Sequence, residues 1–404
     1  MKASPACGLL ALLIGNITAA AQAPASLTLN EALARAVEAN RAVLAARSAR
    51  AIDLASRQAA GQRPNPEVSV EAERETPHWA FGGTVPLEVA GKRQRRIDVA
   101  NATLAVTDAE TARITADVRS DVRRAYYQVV AAVRRVDISQ ELESIATRAR
   151  DAAQERFQTG AAPRLEALQA QLVLSEVENE SARARGEIAA ARAELNALLA
   201  FPSEAAPTLA DALEGGPLPS AQDATAQAIA GNAELQVLEK QIEAERARVA
   251  LAQALRRPDP SVSGTLTYDA QPEFTYGWRA GVAIALPILT TGRADIAVAE
   301  ATLNRAIADR EARVQQVSGA VSAAVARAAS ARQAVQRYQD EILPASLQVE
   351  QMAQESYQSG QTGLPALLQT VQAAREVRQR ALQAGLDYQL ALADLERAMG
   401  TPLK

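Results

Sequence analysis

The string RPNPEVSV at residues 63–70 returns as RPDPSVSG at residues 257–264, an offset of 194. Self-similarity at that distance marks an internally duplicated chain. Other pairs agree with it. Phe157-Gln158-Thr159-Gly160 recurs as Tyr357-Gln358-Ser359-Gly360, at an offset of 200. Leu195-Asn196-Ala197-Leu198-Leu199 is matched by Leu395-Glu396-Arg397-Ala398-Met399, and Val85-Pro86-Leu87 by Leu286-Pro287-Ile288. Each half reads as a helix, a short strand pair, a very long helix, a Gly turn and a returning helix. The expected boundaries are 24–201 for the first repeat and 220–404 for the second. The segment 202–219 between them is rich in Pro and Gly.

Residues 1–23 carry Lys2 as their only charge, an apolar run GLLALLIG and an Ala21-Gln22-Ala23 cleavage pattern, so they read as a secretory signal peptide. Removing them takes away Lys2 and the single cysteine, Cys7. The remainder has 42 basic and 47 acidic residues and no disulfide. Cys7 precedes the apolar run rather than following it, so no lipid anchor is expected. This near-neutral, slightly acidic balance offers nucleic acid nothing to bind.

Aromatic residues are only 3% of the chain, and Ala, Gln, Arg, Glu and Leu dominate, which is the composition of long helices. Thr28-Leu29-Asn30-Glu31 is a capping box at the first helix start. Residues 92–159 lack Gly and Pro. Within them Ile114, Val118, Val122, Ala125, Val129, Ala132 and Val136 form a coiled-coil seam, repeated as Val314, Val317, Val321, Ala324, Ala328, Ala331 and Val335. A helix from Lys92 to Phe157 is about 100 Å long, more than a compact domain needs. The second long helix contains Gly319 and Pro344, where a bend is expected. Gly160 and Gly360 end the rods, and Pro163 and Pro365 start the returning helices, which signals antiparallel hairpins.

The strand candidates are 67–73, 81–89, 261–268 and 276–286. All alternate apolar with polar or small residues over 7–11 residues, near the ~9–11 needed for a tilted strand to cross a bilayer. A small soluble sheet half-covered by helices has the same alternation. The aromatics favour the membrane. Trp79, Phe81, Tyr268, Phe274, Tyr276 and Trp278 crowd the two hairpin turns, where an interfacial girdle lies. Four strands cannot close a membrane barrel, and open edges are not tolerated in hydrocarbon. Spanning strands therefore imply a barrel shared between copies, with eight strands from two or twelve from three.

At this point the chain resembles the TolC family of outer membrane efflux proteins. The resemblance rests on LTLNEALARAVEAN, the duplicated halves, the turns RFQTG and SYQSGQTGLPALLQTVQ, and the closing LERAMGTP. RPNPEVSVEAERE followed by VPLEVAGKRQRR is similar to the CzcC branch, with Ala90 where that branch has a glycine. The resemblance implies a mainly α fold with a small β part: a long α-helical coiled-coil barrel below a transmembrane β-barrel shared by three chains. It implies an outer membrane location in a Gram-negative bacterium, a long periplasmic extension and a homotrimer. It also implies docking to a periplasmic adaptor protein and to an inner-membrane pump of the resistance-nodulation-division class. The branch implies divalent metal cations as cargo; other branches export drugs or secreted proteins. The tips that contact the adaptor would be Gly160, Ala161, Ala162, Gly360, Gln361, Thr362 and Gly363. The pore-narrowing positions would be Glu166, Gln169, Ala366 and Gln369. Some members carry paired aspartates where this chain has Ala366 and Gln369, and Glu166 is a substitute acid or a solvated helix charge.

The residues themselves offer no nucleophile–base set, phosphate loop or clustered metal ligands, so neither an enzyme nor a resident cofactor is expected. His78 reads as a surface loop residue, and Lys92-Arg93-Gln94-Arg95-Arg96 as a solvated helix start. A periplasmic adaptor is the competing reading, but it would show one helical hairpin flanked by β segments and no duplication. A soluble coiled-coil scaffold would have no reason to place its tryptophans beside alternating strands.

Overall fold

The computed structural model describes residues 24–213, 218–359 and 361–402. The signal-peptide reading of 1–23, residues 214–217 of the linker segment and the tip residue Gly360 lie outside the described residues.

The first half runs β1 (Ser26–Leu27), α1 (Leu29–Ala39), α2 (Arg41–Ala60), β2 (Glu67–Ala72), β3 (Trp79–Pro86), α3 (Lys92–Gln158) and α4 (Arg164–Leu199). The second runs β4 (Thr208–Leu209), α5 (Ala221–Gly231), α6 (Ala233–Leu255), β5 (Pro260–Ala270), β6 (Phe274–Ile284), α7 (Arg293–Arg337), a π turn (Tyr338–Ile342), α8 (Leu343–Gln358) and α9 (Leu364–Met399).

Local chemistry sets these boundaries. The expected capping box is present: Glu31 N–H donates to Thr28 Oγ1 at 3.3 Å and Thr28 N–H to Glu31 Oε2 at 2.8 Å. Asn40 ends α1 and caps α2, its Oδ1 accepting from Ala42 N–H at 2.9 Å while its Nδ2 donates to the Leu198 carbonyl at 2.9 Å. Asn232 repeats this between α5 and α6, accepting from Glu234 N–H at 2.9 Å and donating to the Ala398 carbonyl at 2.9 Å. In each half one side chain thus satisfies both the start of one helix and the end of another. α3 is continuous over 67 residues, about 100 Å at 1.5 Å per residue. Gly319 lies inside unbroken α-helix. Pro344 has no N–H for the preceding turn, and the helix widens to the π turn immediately before it.

The core is a chain of clusters along the rods. Val118, Val122, Ala125, Val129, Ala132 and Val136 of the expected seam are all buried, and Ile114 packs at their edge. Around them lie Leu195, Leu199, Leu27 and Tyr126. Val317, Val321 and Ala324 meet Leu395 and Met399 in the second half. Further along, Leu142, Ala146 and Ala153 meet Leu174 and Val177 of α4 and Leu367 and Val371 of α9. There α3 packs against both α4 and α9, and α8 packs on α9, so α4 and α8 are the two flanks of the strip.

The two hairpins form one antiparallel sheet in the order β2-β3-β5-β6. The sequence pointed to β2–β3 and β5–β6. The β3–β5 pairing that fuses the halves, from Trp79↔Tyr268 to Pro86↔Ser261, comes from the tertiary structure. β3 begins at Trp79, two residues before the expected start, and β6 begins at Phe274, also two residues early.

Candidate channel wall and tips

Strand register decides which face each side chain takes. Opposed residues in an antiparallel pair point the same way. Val68, Val70 and Ala72 of β2 oppose Gly83, Phe81 and Trp79 of β3. Trp79, Phe81 and Val85 oppose Tyr268, Leu266 and Val262 of β5, which in turn oppose Tyr276, Trp278 and Val282 of β6. One face is therefore continuously apolar, and nothing among the described residues covers it: Val68 is 81% exposed, Trp278 80% and Val282 75%. A soluble protein rarely leaves such a patch in water. β5 and β6 are 11 residues each, about 37 Å, or roughly 28 Å of height at a 40° tilt. That matches the ~25 Å apolar band of an outer membrane barrel. Trp79, Tyr268 and Tyr276 lie side by side in register, and the Tyr268 and Tyr276 rings pack 5.3 Å apart. Phe274 stands next to them at the hairpin turn, while Phe81 and Trp278 sit one step further into the sheet. The six aromatics are thus brought together at one end of the wall.

The other face is small and polar. It carries Glu67, Ser69 and Glu71 of β2, Ala80, Gly82 and Thr84 of β3, Ser263, Thr265 and Thr267 of β5, and Gly277, Arg279 and Gly281 of β6. Glycine leaves room for the neighbouring hydroxyls where these rows crowd. A Cβ on Gly82 would lie 2.4 Å from Ser69 Oγ, and one on Gly277 2.6 Å from Thr267 Oγ1. At the turn end, Glu73 N–H donates to the His78 carbonyl at 3.0 Å and His78 N–H to the Asp269 carbonyl at 3.2 Å, carrying the register one step past the strands. His78 lies in a loop, as expected, half-buried. The free edges of the sheet are β2 and β6.

Where the wall meets the rods, the structure corrects the reading of the basic run as solvated at Lys92 and Arg96, while Arg93, Gln94 and Arg95 are exposed as expected. Lys92 is 5% exposed, and its Nζ donates to Asp259 Oδ2 at 2.7 Å. Asp259 Oδ1 accepts from Val89 N–H at 2.9 Å. Arg96 pairs with Glu88 and donates to the Gln62 carbonyl at 2.9 Å; Arg93 donates to the Gly61 carbonyl at 2.6 Å. Burial alone would raise the Asp259 pKa, but Lys92 and the Val89 N–H outweigh it and hold it below the ordinary range. The hydrogen bond from Arg96 holds Glu88 down in the same way. Asp259 belongs to the RPDP string, where the first half has Asn65. Sequence reasoning missed its role; that single difference between the copies was its only signal.

At the far end the two turns are built alike. Gly160 has φ +75°, and Ala161 N–H donates to the Arg156 carbonyl at 2.8 Å, closing the end of α3. Gln361 N–H donates to the Ser356 carbonyl at 2.9 Å in the second turn. Ala161, Gln361, Thr362 and Gly363 are exposed, and Ala162 is half-buried. Pro163 caps α4, and Glu166 N–H donates to the Pro163 carbonyl at 3.0 Å. The Glu166 side chain is mostly covered and pairs with Arg156 at 3.2 Å. The Arg156 pKa is raised, first by a hydrogen bond with Tyr357 and then by Glu166, so this arginine ties the first tip to the second. Gln169, Ala366 and Gln369 are exposed and make no such link among the described residues. On the free side of α4, Leu165, Leu168 and Leu172 form an exposed stripe at helical spacing.

The solved structure of CusC covers 92% of this chain and 92% of its own, with TM-score 0.76 and 18% identity. That of the outer membrane protein VceC from Vibrio cholerae covers 93% and 97%, with TM-score 0.74 and 16% identity. These likenesses establish the fold. The cobalt-zinc-cadmium resistance protein CzcC of Cupriavidus metallidurans is 26% identical over 239 residues, so the match spans 58% of this chain and 56% of that relative. The profile of the outer membrane efflux protein family matches residues 32–200 and 224–401. With both halves matched, the chain belongs to the outer membrane efflux protein family.

Proposed function

We propose that this protein is the outer membrane duct of a tripartite efflux pump and that it passively conducts divalent metal cations to the exterior. The observation that carries the reading is the four-stranded sheet, apolar outside, small and polar inside, with both edges open. Open edges are costly in hydrocarbon, so copies of the chain close the wall. Two copies would make eight strands, whose interior is filled by side chains; three make twelve and leave a lumen. The flanks α4 and α8 meet between copies in the same head-to-tail sense, continuing the lumen as a helical tunnel in the periplasm. In this reading 24–201 and 220–404 are the two repeats of each protomer, joined by 202–219. The six aromatics form the membrane girdle.

The turns at Gly160–Ala162 and 360–363 face the periplasmic adaptor and, through it, a pump of the resistance-nodulation-division class. Glu166, Gln169, Ala366 and Gln369 lie just inside those tips, at the narrow end of the tunnel. The cargo class rests on two supports. The relative CzcC is named for cobalt, zinc and cadmium resistance. The inward positions of the wall carry Glu67 and Glu71, with Glu73 one step beyond, against Arg279, and an acidic lumen concentrates cations. Deleting the gene and measuring growth tests the proposal. Sensitivity to zinc, cobalt or cadmium, reversed by the intact gene, is expected. Sensitivity confined to hydrophobic drugs would overturn the metal cargo.

A further inference from the structure

The two open edges of the wall are complementary in charge. Arg279 is an inward-facing residue of β6, opposite Thr265, and is exposed. Glu67, Ser69 and Glu71 are successive inward positions of β2, opposite Thr84, Gly82 and Ala80, and Glu73 continues the row past the strand end. Arg279, Glu67 and Glu71 make no ion pair among the described residues of their own chain. β2 and β6 run antiparallel to one another within the sheet, so a second copy can add its β2 to β6 without breaking the alternation. Closure must also keep apolar side chains outward, which permits only registers differing by two residues. In each register that sets Arg279 against Glu67, Ser69, Glu71 or Glu73, a glutamate is directly opposite or one diagonal step away, within reach of a guanidinium.

We propose that the seam between copies is locked from the lumen side by an ion pair of Arg279 with a β2 glutamate of the neighbouring copy. The inference rests on the shared-barrel reading above. It adds which residues select the neighbouring edge. The occupant of the β6 edge is a second copy of this chain, chosen by charge as well as by backbone pairing. The arrangement also leaves most of the wall's carboxylates unpaired and facing the lumen.

The test is cysteine cross-linking in the full-length protein, in a Cys7→Ser background that carries no other thiol. Arg279→Cys is combined in turn with Glu67→Cys, Ser69→Cys, Glu71→Cys and Glu73→Cys. A short bis-maleimide is applied to outer membranes. One or two adjacent pairs are expected to give a covalent ladder to trimer, with Arg279→Cys alone giving none. In parallel, Arg279→Glu should speed trimer dissociation in detergent about fivefold per seam, roughly a hundredfold over three, with partial rescue by a lysine at the cross-linked β2 position. A stable wild-type trimer with no cross-linked pair and an indifferent Arg279→Glu would overturn the seam while leaving the duct intact. A wild-type protein that is monomeric in the membrane would overturn both.

Discussion

Replacing Asp259 with Asn tests the junction between wall and rods. The change keeps the volume of the side chain and an oxygen to accept from Val89 N–H, and replaces the charged acceptor facing Lys92 with an amide N–H donor. The Lys92 side chain is 6% exposed, so its ammonium would lack both water and counter-charge. Leaving one partner of a fully buried pair uncompensated costs about 3–5 kcal/mol, whereas exposed pairs contribute about 0–1 kcal/mol. Asp259 is 32% exposed, which places this pair between those limits, at about 2–3 kcal/mol. Lys92→Met removes the buried charge instead and leaves Asp259 hydrogen-bonded and partly hydrated. It should cost about 1 kcal/mol, and adding it to Asp259→Asn should recover much of the loss. The assay is guanidinium unfolding of the detergent-solubilised protein followed by tryptophan fluorescence. Both tryptophans, Trp79 and Trp278, lie in the sheet that this junction anchors, toward its turn end, so the signal reports unfolding of the wall rather than the junction itself. A loss below about 0.5 kcal/mol for Asp259→Asn, or equal damage from Lys92→Met, would refute the argument.

Three further outcomes follow from the same geometry. Leu266→Arg, on the outward face of β5, should cost about 2–4 kcal/mol and reduce the trimer recovered from outer membranes, while Thr265→Arg on the other face should be tolerated better; equal effects would contradict the assigned faces. Tyr126 is fully buried, with its hydroxyl 2.8 Å from the Leu27 carbonyl and 2.7 Å from Asp211 Oδ2, so Tyr126→Phe should lower stability by about 1–2 kcal/mol in the same unfolding assay. Glu88 and Asp259 have lowered pKa values in the folded state, so their contribution is full above the ordinary carboxylate range and is lost as pH falls through the folded values. Midpoints measured from pH 7 downward should therefore hold steady until about pH 4 and then fall, less steeply in Asp259→Asn.

The periods were plain in the residues. Alternation from Val262 to Tyr268 and from Tyr276 to Ile284 placed two strands. The repeated seam through Val122 and Val321 placed the rods, and Gly160 with Pro163 placed a turn. These are local signals: each depends on the geometry of one strand or one helix, whose spacing the chain carries with it. Other features needed the third dimension. The sequence reading put β3 at 81–89, whereas it begins at Trp79, because its start is set by pairing with Tyr268 across the halves. Lys92 read as a solvated charge because its counter-ion lies 167 residues away. Glu166 was visible, but its tie through Arg156 to Tyr357 joins two hairpins about 200 residues apart.

By itself, then, the sequence determined the duplication, the rods, the alternating strands and the shortage of strands on which the proposal of a shared wall rests. Only the tertiary structure decided how the halves fuse into one sheet, which edges stay open and which charges are buried. Spacing along a chain specifies a surface pattern, whereas pairing between distant segments is settled only when packing brings them within a few ångströms.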